Sequence, residues 1–274
     1  MKTTFGITAA LAVLAVPAMA AANPRPLPFT YPYETLPEGG IEVEQYLDAT
    51  PVRTLVDGAD GRPQSVFDQR YGVQTELEYG ITDHLELGAY LVFEQDPNER
   101  NGALGFDGTK QRLRYRFAEE GELPVDVAIY GELAEFHDEI EFEEKVILGK
   151  RFGNLRLMAN LWVEQEVERG NSDVGFVYNP TLGATYQVDP RLWLGVEGWA
   201  HGYFNDEASQ ATPGTPEAFN AKTHVFVGPA ISLQFGRVWA SVAPYFRLDD
   251  MARAAQIGDQ YGKVWVRGVL GVEL

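Results

Sequence analysis

The sequence predicts an all-β protein: a transmembrane, antiparallel up-and-down β-barrel of about 12 strands, with short turns at one end and longer loops at the other. Three observations carry that expectation. Hairpins with period-two hydrophobicity recur down the chain, short and long connections alternate except around His137, where the connection is short, and an aromatic residue stands at each short turn.

Residues 71–93 show the unit most clearly. Tyr71, Val73, Thr75, Leu77 and Tyr79 alternate with Gly72, Gln74, Glu76 and Glu78; after a tight turn, Leu85, Leu87, Ala89, Leu91 and Phe93 alternate with Glu86, Gly88, Tyr90 and Val92. The pattern repeats with almost no segment left over to cover the apolar faces, so a bilayer is the medium expected to bury them.

Taken in order, residues 1–20 read as a cleavable signal peptide. Lys2 precedes an apolar stretch over 5–16, and Ala18-Met19-Ala20 resembles a cleavage site. Residues 21–40 hold five prolines between Asn23 and Gly40 and read as a Pro-rich periplasmic lead-in, because Pro has no N–H for a sheet ladder. The barrel proper is expected over 41–274, with strands at 41–48, 69–79, 85–95, 110–117, 125–134, 140–151, 154–166, 174–187, 191–203, 222–235, 237–248 and 262–274.

Short turns are expected at 80–84, 118–124, 152–154, 188–190 and 236–237, and longer polar loops at 50–68, 96–109, 205–221 and 249–261. Tyr79, Phe117, Phe152, Tyr186 and Phe235 flank the short turns as a girdle. Alternation assigns Leu113, Tyr115, Ile129, Leu157, Leu161, Leu182, Leu194 and Ile231 to the lipid face. Glu144 and Lys150 are misfits there, expected near the rims.

Composition narrows the function classes. A net charge of −18 with no basic stripe excludes a nucleic-acid partner, and zero cysteines exclude a disulfide scaffold or a thiolate metal site. Neither a metal nor a cofactor is called for. The partners expected of such a chain are outer-membrane lipid, lipopolysaccharide, the barrel-assembly machinery and small solutes.

The lumen face is dense in charge. Arg112, Arg114 and Arg116 form a ladder on one strand, with Arg156, Arg247 and Arg267 as further positives. Against them stand Glu76, Glu78, Glu86, Glu132, Glu141, Glu143, Glu164 and Glu197. One reading is a passive channel for small solutes, with a basic wall facing an acidic one at a constriction. The other is a structural or interaction barrel whose narrow lumen is plugged by salt bridges. Inward-pointing Tyr90, Tyr130, Trp162, Trp193, Trp199 and Trp239 read as space-fillers or as a slide for ring-containing solutes.

The chain is not expected to be an enzyme. A rim hydrolase around His137-Asp138-Glu139 is a distant alternative, and Ser232 and Ser241 lack a convincing histidine partner for a lipase on the outer wall. Residues 29–48 and the turn at 79–91 (YGITDHLELGAYL) resemble an uncharacterised group of Gram-negative outer-membrane barrel proteins, similar in style to those of the phenol-degradation meta-pathway type. The resemblance implies location and fold, and carries no site residues across.

Overall fold

The computed structural model describes residues 24–57, 62–95, 103–170, 174–204, 222–249, 259 and 261–274. The expected signal peptide at 1–20 lies outside the described residues, as do 205–221 and most of 250–260.

One antiparallel sheet closes on itself. Its strands are β1 (Ile41–Asp57), β2 (Pro63–Thr82), β3 (Leu85–Gln95), β4 (Leu104–Arg116), β5 (Asp126–Phe136), β6 (Glu139–Phe152), β7 (Leu155–Glu168), β8 (Val174–Tyr178), β9 (Thr181–Asp189), β10 (Leu192–Tyr203), β11 (His224–Phe235), β12 (Val238–Arg247) and β13 (Val264–Glu273). Each strand pairs with its sequence neighbour, and β13 returns to pair with β1, so no edge is left open. Both β8 and β9 lie between β7 and β10 and form one stave interrupted at Asn179-Pro180. Counted that way, the barrel has the 12 staves expected. Pro180 cannot donate to the ladder, but its carbonyl still accepts the Ala200 N–H at 3.1 Å, so the stave bends without leaving the wall.

Four of the two-residue turns gather at one end, while a fifth, His137-Asp138 between β5 and β6, stands at the other. Two-residue connections at Asp83-His84, Gly153-Asn154, Pro190-Arg191 and Gly236-Arg237 join successive strands at the first end. Gly153 and Gly236 take φ of 60° and 63°, which such tight hairpin turns require and which a side chain would resist. The chain's last amide, Leu274 N–H, bonds to Ile41 O at 2.9 Å at the same end.

The expected loop at 50–68 is a correction. There β1 and β2 continue as one long paired hairpin, in register from Thr50↔Arg70 to Asp57↔Pro63. Thr50, Val52 and Val66 bring β-branched character to a stretch whose polarity suggested a loop.

Alternation separates the two faces as expected. Leu77, Leu113, Leu161, Leu182 and Val196 are half or more exposed on the outside, and the turn-end aromatics Tyr79, Phe117, Phe152, Tyr186 and Phe235 are all exposed. An apolar exterior this continuous is a surface for lipid, not water. Of the two charged misfits, Lys150 lies near the short-turn rim as expected. Glu144 does not: it is exposed between outward-facing Phe142 and Val146, well inside β6.

The lead-in supplies the largest correction. From Pro24 onward it runs inside the barrel instead of lying in the periplasm: Leu27, Phe29, Tyr31, Tyr33 and Leu36 are all buried among lumen residues.

Candidate functional site: a strap in the lumen

Residues 24–33 read PRPLPFTYPY, with prolines breaking up an alternation of Leu27, Phe29, Tyr31 and Tyr33. The spacing suits an extended chain, but three missing N–H groups within the first five residues rule out a sheet ladder. The strap therefore satisfies its backbone with side chains of the wall. Glu197, fully buried on β10, accepts the N–H groups of Phe29 (3.1 Å) and Thr30, together with the Tyr245 hydroxyl. Asn160 on β7 clasps Tyr31 from both sides: its Oδ1 accepts the Tyr31 N–H at 2.7 Å and its Nδ2 donates to Tyr31 O at 3.1 Å. Glu86 accepts the Leu36 N–H at 2.7 Å.

At the short-turn end, Thr35 Oγ1 donates to Asp83 O and the Glu38 N–H to Asp83 Oδ1, at 2.7 and 2.9 Å. Glu34 pairs with Arg156. Glycines in the wall make room for the strap. A Cβ at Gly183 would collide with Leu27, and one at Gly149 would come within 2.9 Å of Tyr33; one at Gly195 would meet Ala184 O and Thr185 of the wall at 2.9 Å as well as Leu27 at 3.1 Å. Pro24 and Pro26 share a 420 Å³ cavity with Glu34, Thr35 and Pro37, so both legs of the strap stand at the short-turn end and its bend points into the barrel.

Most of the expected lumen charges are buried, but they do not form opposed walls. Arg112 on β4 donates to Glu76 Oε1 (2.6 Å) and Glu78 of β2 and to Glu86 Oε1 (2.7 Å) of the adjacent β3. Arg114 shares Glu86 at 2.7 Å and reaches Pro32 O of the strap. Gly88, facing the lumen between them, leaves the space that the Arg112–Glu76 contact occupies. Arg116 is outside this cluster, paired with Glu119 at the short-turn rim.

Higher up, Glu132 pairs with Lys110 at 3.2 Å, and Glu143 with Lys145. Arg267 holds Asp48 at 2.7 Å and lies over the Phe29 ring at 3.8 Å. Arg247 belongs to the opposite rim, with Asp249 and Asp259 at 3.0 and 2.7 Å. Glu164 lines the cavity described next, and Glu141 lies half-buried toward the long-loop end of β6.

Glu44, Glu76 and Glu78 bring carboxylate oxygens within 4.8 Å of one another, a spacing that suits a cation; the Arg112 guanidinium already fills that role. Ser232 and Ser241 face each other inside the lumen, away from the outer wall a lipase would need, and His137 stands exposed beside Asp138.

Above the strap's bend lies a cavity of 240 Å³, walled by the strap's Arg25, Phe29 and Tyr31 and by barrel aromatics that include Tyr90, Tyr130, Trp162 and Trp199. Of the six expected inward aromatics, Trp193 instead faces the cavity at the short-turn end, and Trp239 donates to Glu42 and packs over Gly271. Charge density pointed to the lumen but not to Asn160, an amide set in the otherwise apolar run 157–163 of β7, nor to Arg25.

With this geometry, known barrels can be compared. No family model and no curated protein sequence matches the chain. Solved structures do. An outer-membrane channel from Pseudomonas putida F1 superposes with a TM-score of 0.57 at 12% identity, covering 88% of this chain and 98% of that one. The NanC porin gives 0.54 at 9% identity, covering 85% and 98%. The likeness is one of fold. At such identities it fixes the closed antiparallel barrel, and nothing about solute.

Proposed function

We propose that the protein is an outer-membrane channel for small solutes, seen here in its closed state, and that opening requires the strap to leave the lumen. The observation that carries this reading is the seating of residues 24–38. The barrel wall is complete without them, because β1–β13 closes the sheet. The strap is held by hydrogen bonds to side chains and by glycine sockets, not by a ladder or a covalent link. Such an element can be released without unfolding the barrel. The resemblance to outer-membrane barrels of the phenol-degradation meta-pathway type agrees with this location, as does the signal-peptide pattern at 1–20.

Planar-bilayer recording tests it. The intact barrel is expected to open rarely. A chain lacking residues 24–38 is expected to conduct continuously, with an ion selectivity that Arg114→Glu shifts. A strapless barrel that inserts correctly and stays silent would overturn the reading and favour the salt-bridged structural barrel.

A further inference from the structure

The cavity above the strap has the makings of a binding site. Two banks of rings line it. On one side Phe29 stands 4.9 Å from Trp199 and 6.1 Å from Trp265, centroid to centroid, with Trp199 and Trp265 themselves 5.5 Å apart. On the other, Tyr31 and Tyr130 are 5.3 Å apart and Lys145 sits over Trp162 at 3.6 Å. These separations suit aromatic packing, and a flat ring between the banks would extend it. The volume, 240 Å³, leaves room for one substituted ring, since a cavity of ~150 Å³ admits benzene.

The polar atoms say what the ring should carry. Arg25 Nε, Trp162 Nε1 and Trp199 Nε1 are buried N–H donors that find no acceptor among the described residues. None of the lining carboxylates accepts from them: Glu132 is held by Lys110 and Tyr130, Glu143 by Lys145, and Glu164 lines the cavity without reaching any of the three donors. The other lining cations have a carboxylate within 3.2 Å, whereas Arg25 has its nearest, Glu44, at 3.9 Å; its Nη atoms donate to the Tyr46 hydroxyl (2.8 Å) and Phe29 O (3.1 Å), which leaves Nε for a ligand. Unpaired N–H groups beside a loosely paired guanidinium ask for an anion.

We propose that this cavity binds a single-ring aromatic carboxylate, its ring between the two aromatic banks and its carboxylate on Arg25. The inference rests on the channel reading for its purpose, yet needs only the folded, strapped barrel for its test. Because Arg25, Phe29 and Tyr31 belong to the strap, a bound ligand stabilises the closed arrangement.

The experiment is calorimetric titration of the folded full-length barrel in detergent with benzoate, against cyclohexanecarboxylate and glucose. Saturable one-to-one benzoate binding is expected, at least tenfold tighter than cyclohexanecarboxylate, which keeps the charge and loses the π face. Arg25→Gln should weaken benzoate at least tenfold. That residue lies on the strap, so the substitution removes its contacts to Tyr46 and Glu44 but leaves the ladder of the barrel wall intact, and Trp193→Leu in the other cavity should change nothing. Absence of saturable benzoate binding would overturn the proposal. So would equal binding of cyclohexanecarboxylate, preference for glucose, or indifference to Arg25→Gln. A barrel that binds benzoate and never conducts would keep the site and sink the channel; one that conducts without binding benzoate would do the reverse.

Discussion

Arg112 is the residue on which most buried charge depends. Its guanidinium serves Glu76, Glu78 and Glu86 with no exposure to solvent. Removing it strands several carboxylates in a dry lumen, a change that typically costs about 3–5 kcal/mol. Arg112→Leu should therefore lower the urea midpoint of the refolded barrel markedly, while Arg116→Leu at the rim should barely move it; equal shifts would show that the cluster is not buried as described. A second residue makes a pH prediction. Burial pushes the carboxyl of Asp249 up, but the Val225 N–H and the Arg247 guanidinium outweigh it and hold the group below the usual aspartate value. A lowered folded-state pKa means the interaction is present above the ordinary value of 3.8 and is lost only as pH falls through the lower one. The Val225 amide should thus stay protected from exchange at pH 3.8, and its release at higher pH would contradict the contact.

The strap is the element whose behaviour matters most. Its sockets predict a separation of effects: Gly183→Val should clash with Leu27 and unseat the strap while the wall, closed by its own ladder, survives. Limited proteolysis should then cut within 24–38 of the variant and spare the parent, with the heat-shift of the folded barrel on gels unchanged. The element scale also explains what could be read from the chain. The strands were legible because one side meets lipid and the other a polar lumen, so alternation is enforced at every residue, from Leu113 to Arg114 to Tyr115. The strap shares that alternation in Leu27, Phe29, Tyr31 and Tyr33, but its prolines remove the ladder donors and made it look like a linker. Its true partners, Asn160 and Glu197, lie 129 and about 168 positions away, beyond any local signal. Charge density pointed to residues that are buried in the barrel, Arg112, Glu76 and Glu86 among them; their pairing along one wall was hidden, because it depends on rotamers and on the space left by Gly88.

At the scale of the molecule, a closed wall and a removable filling are two separable structures. The wall has every strand paired and an apolar exterior, which lets it stand in a bilayer whatever its lumen holds. The filling is held by contacts that can be exchanged for water, and it brings Arg25, Phe29 and Tyr31 to the lining of the cavity above it. The most direct measurement uses the absence of cysteine from the chain. Leu27→Cys with Gly183→Cys places a disulfide where the two residues already touch, tying the strap to β9. Single-channel currents from this variant should be absent when it is oxidised and should appear, with the parent's step size, on reduction. Identical currents in the two states would contradict a strap that closes the barrel.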